Sequence, residues 1–598
     1  MMPTENPQRS IMIKKYSHRI LAFLLTFILS INLGGCTPAA FKSDAAEVSQ
    51  LVLSILSDPK TFNYALSEES PNIFGYTYEG LVNENPLTGE VEPNLAESWD
   101  ISDDNLRIVF TLREGLKWSD GAPLTAEDVV FTYNDIYFNE KIPSSISDVL
   151  RIGNSRAFPT VQKLDDRRIE FTVPEPFAPF LRSTALAILP AHALRESVNT
   201  LDQDGNPQFL SVWGTNTPPE EIIVNGPYML ENYRTSERVT FRANPYYWRE
   251  NQPYIQRVVW EIVESQDTSV LQFMAQRLDA ISVRPEDFPL LKKKEEANDF
   301  RIYYEMEPAP GITFMAFNLN KGRNAETGNP VVEPEKSRWF NTLAFRQAVA
   351  YAIDRETAIE NTFQGIGRPI NSHIAVQSPY YLAPEEGLKV YDHNPEKAKE
   401  LLINAGFSYN EEGELIGPEG NRVRFTLITN AGNKIRESMG AQIKQNLSQI
   451  GIQVDFQPLA WNALTGKLTN SLDWQAIIIG FGGGVEPHWA SNLWSPDGRL
   501  HLFNQQRLTG QTPLVGREVA DWERKIGELY IQGSQELDEE KRKEIYAETQ
   551  RLTQENLPVI QLVNQLSMTA VRDRVKGIEY SPLAGAFWNI YELRVVDE

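Results

Sequence analysis

The chain has 598 residues, with 57 Lys and Arg against 80 Asp and Glu and a formal net charge of −23, so it carries no basic excess of the kind that nucleic acids attract. At roughly 150 residues per domain, its length makes three or four domain-sized units with ample core, and its single cysteine leaves no intrachain disulfide. Stability has to come from burial.

Lys14, Lys15, His18 and Arg19 precede an apolar run from Ile20 to Leu33, which is too short for an ordinary spanning helix and has the length of a secretory core. The run ends in Leu33-Gly34-Gly35-Cys36. Small residues before a cut and a cysteine after it resemble the bacterial lipobox, in which the thiol is diacylated and the new amino terminus acylated. Residues 1–35 are therefore expected to be a signal peptide, Cys36 the lipidation site and 36–50 a tether. Several acyl chains on one residue give stable anchoring where one would be marginal. No second long apolar run follows, so the body is expected to be exported and held on a membrane without spanning it.

Leu51 to Ile55 reads as a buried strand, and Ile73 to Leu81 as an aromatic-rich helical segment ending at a glycine. Leu106, Ile108, Phe110 and Leu112 alternate with polar neighbours, as do Ile169, Phe171 and Val173, which predicts half-buried strands of a small mixed sheet. Between them Thr125-Ala-Glu-Asp128 has the spacing of a capping box, with Val129, Val130, Tyr133, Ile136 and Tyr137 on one helical face behind it. Leu343 to Phe363 predicts a second helical region interrupted by Asp354 as a new N-cap. Ile435, Met439, Ile443, Leu447 and Ile450 make an apolar stripe closed by Gly451. Strands at Val423 to Ile428 and Ile452 to Phe456 complete a strand–helix–strand unit. Trp474 to Ile479 adds a strand running into Gly480-Phe-Gly-Gly-Gly484. Two α/β regions thus flank a mixed one with no linker between them, an arrangement that places ligands in a cleft.

Catalytic chemistry finds little support. After export His192, His373, His393, His488 and His501 are the whole supply of imidazole, no zinc-protease, nucleophile-elbow or P-loop motif occurs, and an acylated Cys36 is no nucleophile. Glu486, His488, Asp497 and His501 match no metal-ligand spacing. Gly482 to Gly484 lacks the Lys-Ser/Thr of a phosphate loop and reads as a tight turn or close approach. No catalytic residue, metal or cofactor is expected.

Longer motifs then identify a family. Leu95-Ala-Glu-Ser-Trp99, Phe110-Thr-Leu-Arg-Glu-Gly-Leu-Lys-Trp-Ser-Asp-Gly121 and Pro123-Leu-Thr-Ala-Glu-Asp-Val-Val-Phe131 resemble the signature of extracellular solute-binding proteins of the peptide/nickel type, which feed ABC importers. Asn225-Gly-Pro-Tyr228, Asn244-Pro-Tyr-Tyr-Trp248, Phe317-Asn318 and Phe345-Arg-Gln-Ala-Val-Ala-Tyr-Ala-Ile-Asp354 continue the match in order. The resemblance implies an α/β, two-lobed periplasmic-binding-protein-like fold with an accessory α+β domain, hinge-linked. Lobe I would comprise 51–80, 220–307 and 557–598, the accessory domain 81–219 and lobe II 308–556. Hinges are expected near Glu305–Pro310 and Gln554–Pro558.

By the same resemblance Glu486, where peptide-binding members usually carry Asp, would hold a ligand's amino terminus. Trp461, Phe481, Trp489 and Trp494 would supply apolar or stacking walls, and Tyr76, Asn225 and Asn318 further cleft contacts. The function implied is a lipid-anchored, monomeric receptor that captures an oligopeptide by closure and delivers it to an ABC permease. An oligosaccharide, a nickel chelate or an opine-like metabolite is the alternative ligand, and a secreted hydrolase or a signalling receptor the alternative class.

Overall fold

The computed structural model describes residues 48–67, 73–144, 146–308, 310–507 and 510–596. The expected signal peptide, Cys36 and nearly all of the tether lie outside the described residues. Among those described, no helix is long and apolar enough to cross a membrane.

Leu51 and Leu53 point inward from Gln50–Ile55, which pairs in parallel with Arg257–Ile262; Arg238–Ala243 and Tyr228–Arg234 extend that sheet antiparallel. The accessory sheet runs in the order Ala96–Ile101, Arg107–Leu112, Arg168–Thr172, Thr160–Lys163, with Ile108, Phe110, Leu112, Ile169 and Phe171 buried in alternation. The capping box forms as its chemistry dictates: Glu127 N–H donates to Thr125 Oγ1 (3.3 Å) and Thr125 N–H to Asp128 Oδ2 (2.8 Å). Helix Ala126–Phe131 then widens into a π-type turn over Thr132–Tyr137, where the Thr132 hydroxyl donates to the Asp128 carbonyl and accepts from Leu189 N–H. The accessory region keeps no core of its own. Phe110, Phe171 and Leu189 belong to the same buried cluster as Leu51, Tyr228 and Phe241.

Lobe II has a separate core. Arg424–Asn430, helix Lys434–Ser448 and Gln453–Leu459 form the parallel strand–helix–strand unit, with Gly451 at φ +76° turning the chain. The sheet continues through Ala476–Gly482 and Gly311–Phe317 to Val559–Gln561. Asp354 caps the helix Arg355–Asn361, accepting from Thr357 N–H at 2.9 Å. This is a two-lobed α/β fold.

Two strands pass between the lobes side by side. Phe300–Pro308 leads out and continues as Gly311–Phe317; Val559–Gln561 returns as Val563–Arg572, which pairs with Phe300–Pro308 across a bulge. Asn564 clamps the crossing, its Oδ1 accepting from Thr313 N–H (3.0 Å) and its Nδ2 donating to the Gly311 carbonyl (2.7 Å). The return therefore lies at Leu562 and not at Gln554–Pro558. Gln554 is buried in helix Glu539–Asn556, which ends at Leu557 in the left-handed region, and the strand that follows still belongs to the lobe II sheet. A second departure is at Ile73 to Leu81, where only Phe74–Tyr76 is helical. The backbone of the rest is taken by tertiary bonds: the Thr77 carbonyl accepts from Gly226 N–H, the Glu79 carbonyl from Ile188 N–H, and Glu79 N–H donates to Asn225 Oδ1.

Candidate functional site

The glycines after strand Ala476–Gly482 serve the crossing strand. Gly482 pairs with Gly311, Gly483 N–H donates to the Pro310 carbonyl at 3.1 Å, and a Cβ on Gly311 would lie 2.6 Å from the Phe481 carbonyl oxygen. This close approach sets the path of the loop that delivers Glu486. The Ser378 hydroxyl fixes the loop by donating to the Val485 carbonyl. Glu486 then caps the single turn Pro487–Ala490, its Oε1 accepting from His488 N–H at 3.1 Å.

Oε1 of Glu486 also receives Nη2 of Arg542 at 2.8 Å. The two residues are each 5% exposed. Arg542 stands on helix Glu539–Asn556, and its other donors are taken: Nε by the Gly533 carbonyl (2.7 Å) and Nη1 by the Tyr380 hydroxyl. Burial alone would lower the guanidinium's pKa, but Glu486, with Tyr546 and Tyr380, holds it above its ordinary value. On the facing side Arg182 pairs with Glu84 and donates to the Gly89 carbonyl. Burial pushes the Glu84 carboxyl up, Arg182 pulls it down, and Glu486 pushes it up again, so these two ion pairs lie within electrostatic reach across the cleft.

Among the described residues, four hydrogen bonds join lobe II to the accessory region. His488 Nε2 lies 2.8 Å from the Val149 carbonyl, Arg499 N–H donates to Asp148 Oδ2 (3.0 Å), Ala178 N–H to the Ser534 carbonyl (2.7 Å), and Gln535 Nε2 to Glu175 Oε2 (2.6 Å). A carbonyl only accepts, so Nε2 of His488 carries the proton. The ring packs edge-on against Phe177 at 4.9 Å, its Nδ1 has no protein partner, and burial outweighs the Val149 bond to lower its pKa.

The expected site residues divide. Phe481, half-buried with its ring 5.7 Å from Phe314, Trp489 on the Pro487–Ala490 turn, and Trp461 opening helix Trp461–Thr465 keep exposed surface on lobe II. Trp494 does not: it is 1% exposed and packs on His373 at 4.3 Å inside the core. Asn225 is spent on both backbone groups of Glu79, and Asn318 donates to the Leu472 and Trp474 carbonyls while accepting from Asn320 N–H. Tyr76 sits in the lobe I aromatic cluster with Tyr228, Phe241 and Trp260. Burial takes Trp494, and saturated hydrogen bonding takes Asn225 and Asn318, away from ligand contact, while Tyr76 is half-buried among those aromatic rings. Arg542, Tyr380, Arg182 and Glu84 escaped the sequence reading. The one signal was a helical period in polar residues, Arg542, Tyr546, Thr549, Gln550, Thr553 and Gln554, all on the buried face of one helix.

His501 lies between the Leu493 carbonyl (2.9 Å) and Glu523 Oε2 (3.1 Å). Among the described residues no group of three or more His, Cys, Asp or Glu converges as for a metal ion.

Known proteins agree with this architecture. The middle region of bacterial extracellular solute-binding proteins, family 5, matches residues 90–499. A probable ABC transporter-binding protein of Deinococcus radiodurans is 29% identical over 556 residues, covering 88% of each chain. The oligopeptide-binding protein AppA of Bacillus subtilis is 24% identical over 483 residues, 78% of this chain and 81% of AppA. Its structure with a nonapeptide superposes with a TM-score of 0.75 at 22% identity, over 92% of this chain and 99% of that one. The binding protein MelB of Agrobacterium fabrum, in complex with stachyose, gives a TM-score of 0.77 at 20% identity, over 92% and 85%. This chain belongs to family 5 of the bacterial extracellular solute-binding proteins, the binding components of ABC importers rather than enzymes.

Proposed function

We propose that the protein is a lipid-anchored receptor, held through Cys36, that captures an oligopeptide between its lobes and presents it to an ABC permease. The observation that carries this reading is the set of bonds from the 486–499 and 534–535 segments to residues 148–149 and 175–178, reached through two adjacent crossing strands. Such bonds form and break as a unit when lobes rotate about strands like these, and a ligand that touches both sides shifts the balance toward closure by its preference for the closed state. Peptide would be held by main-chain hydrogen bonds, with Phe481, Trp489 and Trp461 as walls and side-chain pockets left wet. The AppA complex supports this ligand class.

A second reading keeps the mechanism and changes the ligand to an oligosaccharide. It is favoured by the half-exposed aromatic faces and by the likeness to MelB, and the same assay separates the two. Mature protein titrated calorimetrically with defined peptides and with raffinose-type sugars should give heat with peptides and a smaller radius of gyration by scattering at saturation. Binding of sugars alone would replace the ligand assignment, and binding without compaction would remove the closure mechanism.

A further inference from the structure

The carboxylate of Glu486 is where a ligand ammonium is expected to be held, yet in this chain it is already neutralised. We infer that Arg542 is a specificity-determining residue that removes Glu486 from cation recognition, so that the receptor takes solutes with no requirement for a charged amino end at that point. The inference rests on the solute-capture reading and narrows its ligand.

The geometry leaves Arg542 no freedom to step aside. The residue is 5% exposed and all three guanidinium nitrogens are engaged, with the Gly533 carbonyl, the Tyr380 hydroxyl and Glu486 Oε1. The plane lies over Tyr380, 4.7 Å from the ring centroid, which fixes its orientation as well as its position. Glu486 is tied to the pair through Oε1, which also caps the Pro487–Ala490 turn that carries His488 and Trp489. An incoming ammonium would meet a carboxylate whose charge Arg542 already balances, and displacing Arg542 would leave a buried guanidinium without its counter-charge, an outcome strongly disfavoured in a low-dielectric interior. The facing Arg182–Glu84 pair is balanced too, so neither side of the cleft presents a net charge from these four groups. Recognition at this end therefore falls to backbone groups and aromatic walls, which read neutral atoms.

Calorimetry of the full mature protein with pentaalanine, either with a free amino terminus or N-acetylated, tests this directly. The two should bind within about threefold of each other, whereas Arg542→Gln should restore a preference of about tenfold or more for the free amine, the size of a charge-assisted hydrogen bond. A tenfold preference in the unmodified protein that disappears in Glu486→Gln would overturn the inference. Thermal melts without ligand supply a second, independent readout. Glu486→Gln and Arg542→Gln should each lower the melting temperature by about 5 °C, and the double variant should be no worse than the poorer single one. Additive losses would overturn the committed pair. If neither form of the peptide binds, the oligopeptide reading fails on its own, and the melts still decide whether Glu486 is committed to Arg542.

Discussion

Replacing His488 by alanine should open the protein without unfolding it. Its ring spans 339 positions of sequence to reach the Val149 carbonyl and packs on Phe177. One buried neutral hydrogen bond contributes about 0.5–1.5 kcal/mol, and an edge-on aromatic pair a similar amount. Their loss should cost the closed state about 1–3 kcal/mol, a factor of about 5–150 in the open–closed equilibrium. Neither contact belongs to the core of one lobe, so the main melting transition should move little. Two spin labels, one on each lobe, would show the distance distribution shift outward, and ligand affinity should weaken by the factor lost in closed population. Acid should act on the same residue, by charging a ring that closure buries. Burial holds the closed-state pKa of His488 below the 6.5 of a free imidazole, so closure is fully supported above pH 6.5 and weakens as pH falls below it; the alanine variant should lose that share of the pH dependence. Unchanged distances and unchanged affinity in the variant would refute the role given to His488 in closure.

Asn564→Ala leaves the Thr313 N–H and the Gly311 carbonyl without their side-chain partner, and should lower stability to urea by about 1–3 kcal/mol; no change would show that water replaces the clamp. His373, buried on Trp494, has its pKa pushed down to about 3 by burial. Because the unfolded ring protonates near 6.5, lobe II should lose about 1.4 kcal/mol per pH unit from pH 6.5 toward 3 on this account, and His373→Phe should flatten that slope in denaturation measured across the range. Cys36→Ser should abolish acylation while sparing the fold; detergent-phase partitioning of the variant equal to that of the unmodified protein would contradict lipid anchoring at this residue.

Local chemistry was legible in the sequence where neighbours decide it. The Thr125–Asp128 capping box, the alternation at Ile108, Phe110 and Leu112, and the stripe from Ile435 to Leu447 closed by Gly451 all appear where their residues place them. Reading failed where distant backbone competes: Ile73 to Leu81 has helix-like spacing, but Gly226, Asn225 and Ile188 take its backbone groups. It failed again where the buried face of a helix is polar. In Glu539–Asn556 the inward residues are Arg542, Gln550 and Gln554, and Gln550 alone binds the Ser372 hydroxyl, Leu382 N–H and the Tyr380 carbonyl. A search for apolar period passes over such a helix, and with it the partner of Glu486.

On the proposed closure mechanism, the distribution of charge across the cleft would let so acidic a protein open and close at little cost. Among the described residues the ion pairs near the closure are made within one side, Glu486 with Arg542 and Glu84 with Arg182, while none of the four hydrogen bonds that cross is an ion pair. Opening thus strands no charge. Had Arg542 reached across to Glu84, separation would have left two buried charges unpaired, and the lobes would be locked by several kcal/mol whether or not a solute was present. Four hydrogen bonds, two of them neutral and worth about 1 kcal/mol each and two to the Asp148 and Glu175 carboxylates worth about 1.5–3 kcal/mol each, all replaceable by water, would set an equilibrium that a ligand's differential contacts can tip. The same division that, on our proposal, keeps Glu486 from a ligand's amine would keep the closure reversible.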